Sequence, residues 1–275
     1  MFACLLTLKL FPCAAVYAQP LFTDLSDSYA RTEIEALAQA EVLAGYPNGT
    51  FAPAKSINRA EFAKLMVMAL GLKENPAFAA KFADIDPKAW YAGYVGAVVE
   101  AGIAEGTAAS AFSPNAEVSR EELVVFFTRA FGLEGMARKL PIDTPFTDMG
   151  KMSDWSKPYV NLAYKIGFVQ GFENKDGTLS FRPKETTDRQ DAARLTYEFI
   201  VNIAKYMEKS QRINQTRSRQ SEKIDRSHTG NEPLELLSPA VLLMHAVTVT
   251  KTICIKKQKK GYPKSRFCLQ KRRSV

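Results

Sequence analysis

The chain has 275 residues, 46% of them apolar, and a formal net charge of +8, which bounds it to one or two compact domains or a short array of repeats. The charge is lopsided: residues 1–204 hold 20 Lys/Arg against 24 Asp/Glu, and residues 205–275 hold 17 against 5, so a nucleic-acid reading based on net charge would describe the tail alone and no nucleic-acid partner is expected. The four cysteines (Cys4, Cys13, Cys254, Cys268) and two histidines (His228, His245) sit at the two ends; this excludes a disulfide framework, a Cys/His metal site and a His-activated nucleophile from the middle, and no metal or cofactor is expected.

Residues 1–18 read as a secretory signal, an apolar stretch ending in Val16-Tyr17-Ala18 with cleavage after Ala18. The competing reading, a buried N-terminal helix, is disfavoured by Pro12 and by the lack of apolar periodicity. Three repeats follow, over residues 22–72, 82–133 and 146–202. Each opens on Phe-x-Asp (Phe22/Asp24, Phe82/Asp84, Phe146/Asp148), with an aromatic a few residues on (Tyr29, Trp90, Trp155). Each returns to Phe-x-Pro (Phe51/Pro53, Phe112/Pro114, Phe181/Pro183), with an Arg eight residues after that Phe: Arg59, Arg120 and Arg189.

Within a repeat the pattern is helix, loop, helix. In the first, Ile34, Leu37, Ala38 and Leu43 share a helical face, Gly45 is a candidate C-cap and Asn48-Gly49 marks a turn. The second helix carries Phe62, Leu65, Met66, Ala69 and Leu70 inward and stops at Gly71. The other repeats follow the plan, with Gly102 and Gly167 after their first helices and a longer loop, GFENKDGTLSF, in the third. Pro- and charge-bearing linkers separate them. A two-helix unit of this size buries too little by itself, so the expected fold is mostly α: three helix-loop-helix repeats sharing one core in a pseudo-threefold arrangement.

Each second helix opens on an N-cap residue (Asn58, Ser119, Asp188) with an acid three positions on (Glu61, Glu122, Asp191), the spacing of a capping box. The Arg between them sits at the positive end of the helix dipole, which caps do not explain. Two explanations remain open. The Arg pairs internally, for instance with Asp24, Asp84 or Asp148, or it converges with helix N–H groups on an external anion, for which the guanidinium fork is suited. Tyr46, Trp90 and Trp155 are candidates for stacking on sugar rings, against the alternative of core packing.

Phe-x-Asp, an aromatic, Gly45-Tyr46-Pro47-Asn48-Gly49-Thr50-Phe51-x-Pro53 and Asn58-Arg59-Ala60-Glu61 together resemble the S-layer homology (SLH) domain. The resemblance covers residues 22–202, with three tandem copies. It implies a pseudo-trimeric helical fold with grooves between neighbouring repeats. It also implies non-catalytic, noncovalent anchoring of a secreted surface protein to a secondary cell wall polymer, a polysaccharide often bearing pyruvate ketals. Their carboxylate suits the Arg residues, and the family motif carries the ligand role to Arg59, Arg120 and Arg189, with Gly45, Tyr46, Trp90 and Trp155 nearby. Repeat two departs from the pattern at Ala104-Glu105-Gly106-Thr107 and repeat three at its loop and at Asp188-Arg189-Gln190-Asp191; a single competent groove would suffice for anchoring.

Residues 205–275 are expected to form a basic, disordered tail. Its apolar stretch, 236–255, is a candidate membrane anchor weakened by Pro239, His245 and Lys251. An enzyme acting on wall polysaccharide is the alternative function. It would need two carboxylates across a cleft; Asp84 with Asp86 and Glu121 with Glu122 are available, but adjacent acids in repeats are ordinarily caps and solvated faces, so no catalytic residue is assigned.

Overall fold

The structure, a computed structural model, describes residues 21–224. The signal segment, all four cysteines, both histidines and residues 236–255 lie outside the described residues. The order is α1 (Arg31–Gln39), α2 (Arg59–Leu70), α3 (Ala92–Glu100), α4 (Arg120–Ala130), α5 (Glu134–Lys139), α6 (Lys157–Lys165), β1 (Phe172–Glu173), β2 (Leu179–Ser180) and α7 (Arg189–Ile224). The fold is mostly helical. The linkers are more structured than the Pro and charge pattern suggests: the first holds a 3₁₀ turn, Pro76–Ala79, and the second holds α5. The long loop of repeat three is a hairpin, with Phe172 opposite Ser180 and Asp176-Gly177 at its turn.

The two Phe motifs of each repeat are one device. Phe22 lies 5.5 Å from Phe51, Phe82 5.5 Å from Phe112, and Phe146 5.5 Å from Phe181. The Asp two residues after the first Phe accepts two backbone N–H bonds at the second motif: Asp24 from Phe51 and Ala52, Asp84 from Phe112 and Ser113, Asp148 from Phe181 and Arg182, all at 2.7–2.9 Å. The middle residue of Phe-x-Pro is left-handed in all three copies (Ala52 φ 55°, Ser113 φ 60°, Arg182 φ 59°). A non-glycine residue there costs energy, and the charge-assisted pair of bonds to the Asp offsets it. Gly45, Gly106 and Gly171 occupy one equivalent place, since a Cβ on any of them would come within 2.3–2.6 Å of the ring of Phe22, Phe82 or Phe146. Gly45 is therefore a packing glycine rather than the C-cap of α1.

The repeats join through the segments before α2, α4 and α7. Ile57 N–H donates to Thr187 O, Thr187 N–H to Val118 O, and Val118 N–H to Ile57 O, at 3.0, 2.8 and 3.0 Å, so three segments close a ring. The first two N–H groups of each second helix donate to the loop of the next repeat: Arg59 and Ala60 to Ala116 and Pro114, Arg120 and Glu121 to Glu185 and Pro183, Arg189 and Gln190 to Lys55 and Pro53. These donors would otherwise lack intrahelical partners. Phe62, Phe127 and Phe199, one from each repeat, pack in sequence through the core, edge-to-face at 5.7 Å and tilted at 5.5 Å.

The second helix of repeat three, α7, runs without a break past residues 202 and 205 to Ile224, with Tyr206 buried against Phe131 and Phe168 and Ser210 buried one turn on. Among the described residues no helix is long and apolar enough to cross a membrane.

The junction between repeats two and three carries a buried carboxylate, where the junction between repeats three and one has an uncharged contact, the Ser28 hydroxyl donating to Gln190 Oε1 at 2.9 Å. Glu121, only 2% exposed, accepts from Ser153 N–H, the hydroxyls of Ser153 and Ser156, and Lys184 Nζ. Its counterparts are Ala60 and Gln190. Burial alone would raise the Glu121 pKa, but Lys184 and the two serines hold it below the usual carboxylate value. A depressed folded-state pKa gives stability that is present above the unfolded value, about 4.3, and is lost as pH falls through the folded one. Glu121→Ala is expected to cost about 2–4 kcal/mol by orphaning these donors. Glu121→Gln is expected to narrow the difference in thermal midpoint between neutral and strongly acid pH. Denaturant and pH-dependent thermal unfolding check both.

Candidate functional site

The three arginines stand at the same helix position but in different surroundings. Arg59 is 4% exposed. Its Nε donates to Phe112 O (2.9 Å), its Nη1 to Glu122 (2.8 Å) and its Nη2 to Glu105 O (2.7 Å), while the guanidinium lies over Phe112 and Phe126. The internal partners are the next repeat's loop carbonyls and capping acid, not Asp24, Asp84 or Asp148. Only about 10 Å³ of space remains beside it.

Arg120 lies over the rings of Phe172 and Phe181, at 4.5 and 5.1 Å, and its buried Nε has no hydrogen-bond partner among the described residues. Burial lowers the pKa of both Arg59 and Arg120, opposed chiefly by Glu122 at the first and Asp191 at the second. Beside Arg120 the Tyr29 hydroxyl donates to Asp191 at 2.5 Å, with Arg194 over the Tyr29 ring. Burial and that bond push the Tyr29 phenol far upward, so it stays a donor.

Arg189 opens onto space. Its Nε donates to Phe51 O (2.9 Å), its Nη1 lies 3.7 Å from Glu61, and its guanidinium rests over Tyr46 and Phe51 at 5.0 and 4.6 Å. Tyr46 is also held by Lys55, whose Nζ donates to its hydroxyl. Arg189, Tyr46, Phe51 and Glu61 border a cavity of about 650 Å³, inside the ordinary range for small-molecule sites. Trp90 of repeat two stands at its rim, 55% exposed, with Lys64 over its ring at 5.6 Å and over Tyr94 at 5.5 Å.

Four sequence candidates thus come together in one cavity: Gly45, Tyr46, Trp90 and Arg189. Arg59, Arg120 and Trp155 do not line it. Trp155 is half exposed, and no cation stacks on its ring among the described residues. The caps also differ. Asn58 with Glu61 and Ser119 with Glu122 close reciprocal capping boxes. Asp188 accepts from Asp191 N–H, but the shorter Asp191 side chain goes to Tyr29 instead of back to the cap. The N–H groups at the three helix starts are spent on neighbouring loops or caps, so the convergence of free helix N–H groups on an external anion does not occur there.

Sequence reading missed Lys64, Glu41 and Tyr94 as cavity residues. Lys64 had a signal: it is the one charge between Glu61 and Leu70 in an otherwise apolar helix. Its counterparts, five residues after each Arg, are Val125 and Arg194, so the three grooves differ chemically. Among the described residues no His/Cys/Asp/Glu group has metal-binding geometry.

The S-layer homology domain model matches residues 21–63, 81–124 and 145–193, the segments from each Phe-x-Asp to each Arg-bearing helix start, and the chain belongs to that family. It is similar to the surface-layer 125 kDa protein of Lysinibacillus sphaericus (32% identity over 73% of this chain and 16% of that protein). It is also similar to the amylopullulanase of Thermoanaerobacterium thermosulfurigenes (32% over 68% and 10%) and the S-layer protein sap of Bacillus anthracis (28% over 70% and 22%). The chain thus spans a small fraction of the length of these relatives. S-layer homology domains are non-catalytic cell-wall anchoring modules, found in surface-layer proteins and as accessory parts of enzymes, and this is a secreted protein of the cell surface.

The surroundings of the arginines rank their replacement. Arg59→Ala is expected to cost about 3–5 kcal/mol by breaking a buried pair and leaving carbonyls unpaired. Arg120→Ala, which removes ring stacking without a hydrogen bond from Nε, is expected to cost about 1–2 kcal/mol. Urea unfolding of the variants gives the order.

Proposed function

We propose that the chain anchors to a secondary cell wall polymer, a polysaccharide bearing pyruvate ketals, through the groove of Arg189, Tyr46, Lys64 and Trp90. The observation that carries this reading is the 650 Å³ cavity with two cations and exposed aromatic surface on its walls. A ketal-linked pyruvate presents one carboxylate and one methyl on a rigid ring. Arg189 and Lys64 offer charge to the carboxylate, and the Trp90 indole offers a flat apolar face to a sugar ring. Arg189 is already fixed by Phe51 O and the Tyr46 ring, so little side-chain freedom remains to be lost on binding.

In this reading the groove of Arg59 is structural, filled by the protein's own carbonyls and Glu122, and at Arg120 the facing acid, Asp191, is already engaged by the Tyr29 hydroxyl. The arrangement of the repeats is pseudo-threefold, which the cyclic exchange of hydrogen bonds supports. No catalysis is proposed: Glu121, the most buried acid among the described residues, is committed to Lys184 and two serines, and Glu122 to Arg59 and its own cap.

The test is co-sedimentation of the full chain with bacterial walls carrying pyruvylated polymer, before and after the polymer is stripped. Sedimentation is expected to vanish on stripping and to weaken about tenfold or more for Arg189→Ala and Trp90→Ala. Unchanged sedimentation of both variants, folded by circular dichroism, would overturn the assignment of the groove. No sedimentation of the parent chain would overturn the anchoring function.

A further inference from the structure

One residue of this cavity is held at a cost. Glu41 has φ 62°, in the left-handed region. It stands just after α1, where Glu41 N–H donates to Ala38 O and Val42 N–H to Leu37 O, the closure that ends a helix with a left-handed residue. The same closure ends α3 and α6: Gly102 to Val99 with Ile103 to Val98, and Gly167 to Tyr164 with Phe168 to Ala163. The left-handed residue there is glycine, with φ 67° and 76°. Repeats two and three use the residue that carries no steric penalty at this position, whereas repeat one places a glutamate there.

That glutamate lines the cavity of Arg189 and Lys64. The other acid there, Glu61, is engaged by Asn58 N–H and by Arg189. The Glu41 side chain is exposed, with no hydrogen bond or ion pair among the described residues. A carboxylate beside a site for an anion repels it, and a strained backbone position persists where the surroundings or a function require it. A ligand seated here therefore gains if its far end offers hydrogen-bond donors. The cavity wall on that side adds Val42, Leu43, Leu65 and Met68, an apolar surface for the C–H face of a ring.

We propose that Glu41 is a second recognition point of the groove, accepting hydrogen bonds from the hydroxyl edge of the sugar next to the acidic one. The groove then reads two adjoining units: an acidic sugar at Arg189 and Lys64, and a hydroxyl-rich sugar at Glu41. This rests on the anchoring reading given above, and its test separates the two. It also explains why repeat one alone gives up the glycine.

The experiment is isothermal titration calorimetry of the full chain with two probes. One is a methyl glucopyranoside carrying a 4,6-pyruvate ketal; the other is a disaccharide in which that unit is linked to a neutral hexose. Thermal unfolding is measured alongside. Glu41→Gly is expected to raise the unfolding midpoint, since the strain is relieved, yet to weaken the disaccharide about tenfold while leaving the monosaccharide within about twofold. Glu41→Gln, which keeps an acceptor but not the charge, is expected to fall between. Arg189→Ala is expected to weaken both probes. If Glu41→Gly leaves the disaccharide affinity unchanged while Arg189→Ala weakens both, the inference fails and the groove reading stands. Equal loss of both probes on Glu41→Gly also overturns the second recognition point. Binding of neither probe by the parent chain overturns both readings.

Discussion

The ring of backbone hydrogen bonds among Ile57, Val118 and Thr187 is the constraint on which the rest depends. Once those three segments are tied together, each second helix must start against the Phe-x-Pro turn of the next repeat. That placement satisfies the helix-start donors, which a buried helix end cannot leave open. It also fixes where each Arg must point: across the boundary, onto the next repeat's aromatic pair. The arginines are therefore first of all joints between repeats, and any role in binding is built on a side chain already committed to structure on one side.

From one joint to the next, small substitutions change what is left over. At Arg59 the acid across the boundary is Glu122, long enough to serve both its own cap and the guanidinium, so nothing remains to offer a ligand. At Arg120 the facing acid is Asp191, too short for both tasks and taken by Tyr29. At Arg189, Glu61 stays with its cap at 3.2 Å and keeps a looser 3.7 Å contact with the guanidinium. Tyr46 supplies a ring beneath it, and Lys64 faces Trp90. Three copies of one plan thus give three differently furnished joints, of which the one at Arg189 borders a cavity of about 650 Å³.

Much of this was legible in the sequence because repetition exposes constraint. The Phe pairs, the Asp two residues on, the cap spacing and the Arg recur at fixed intervals, and each has a local physical reason. What was not legible depends on contacts between repeats. The Asp residues suggested partners for Arg, but they bind backbone N–H groups of a strained turn, which no spacing reveals. Gly45 reads as a helix cap by itself; only its approach to the Phe22 ring shows why it is glycine. The left-handed position of Glu41 is visible only when the repeats are aligned from the ends of their first helices, where Gly102 and Gly167 occupy its place. Extension of α7 past residue 202 depends on Tyr206 finding Phe131 and Phe168, contacts from another repeat and a distant loop.

The groove beside Trp90, and not its counterparts, is the one proposed to take the polymer. The chain has two tryptophans, Trp90 and Trp155, at equivalent places in repeats two and three, so each reports on a different groove. The most direct measurement is the fluorescence of the full chain titrated with soluble wall polysaccharide bearing pyruvate ketals, in Trp155→Phe and, separately, Trp90→Phe. A saturable change in emission is expected when Trp90 is the remaining indole and none when Trp155 is. A saturable change at Trp155, with Trp90 silent, would contradict that assignment.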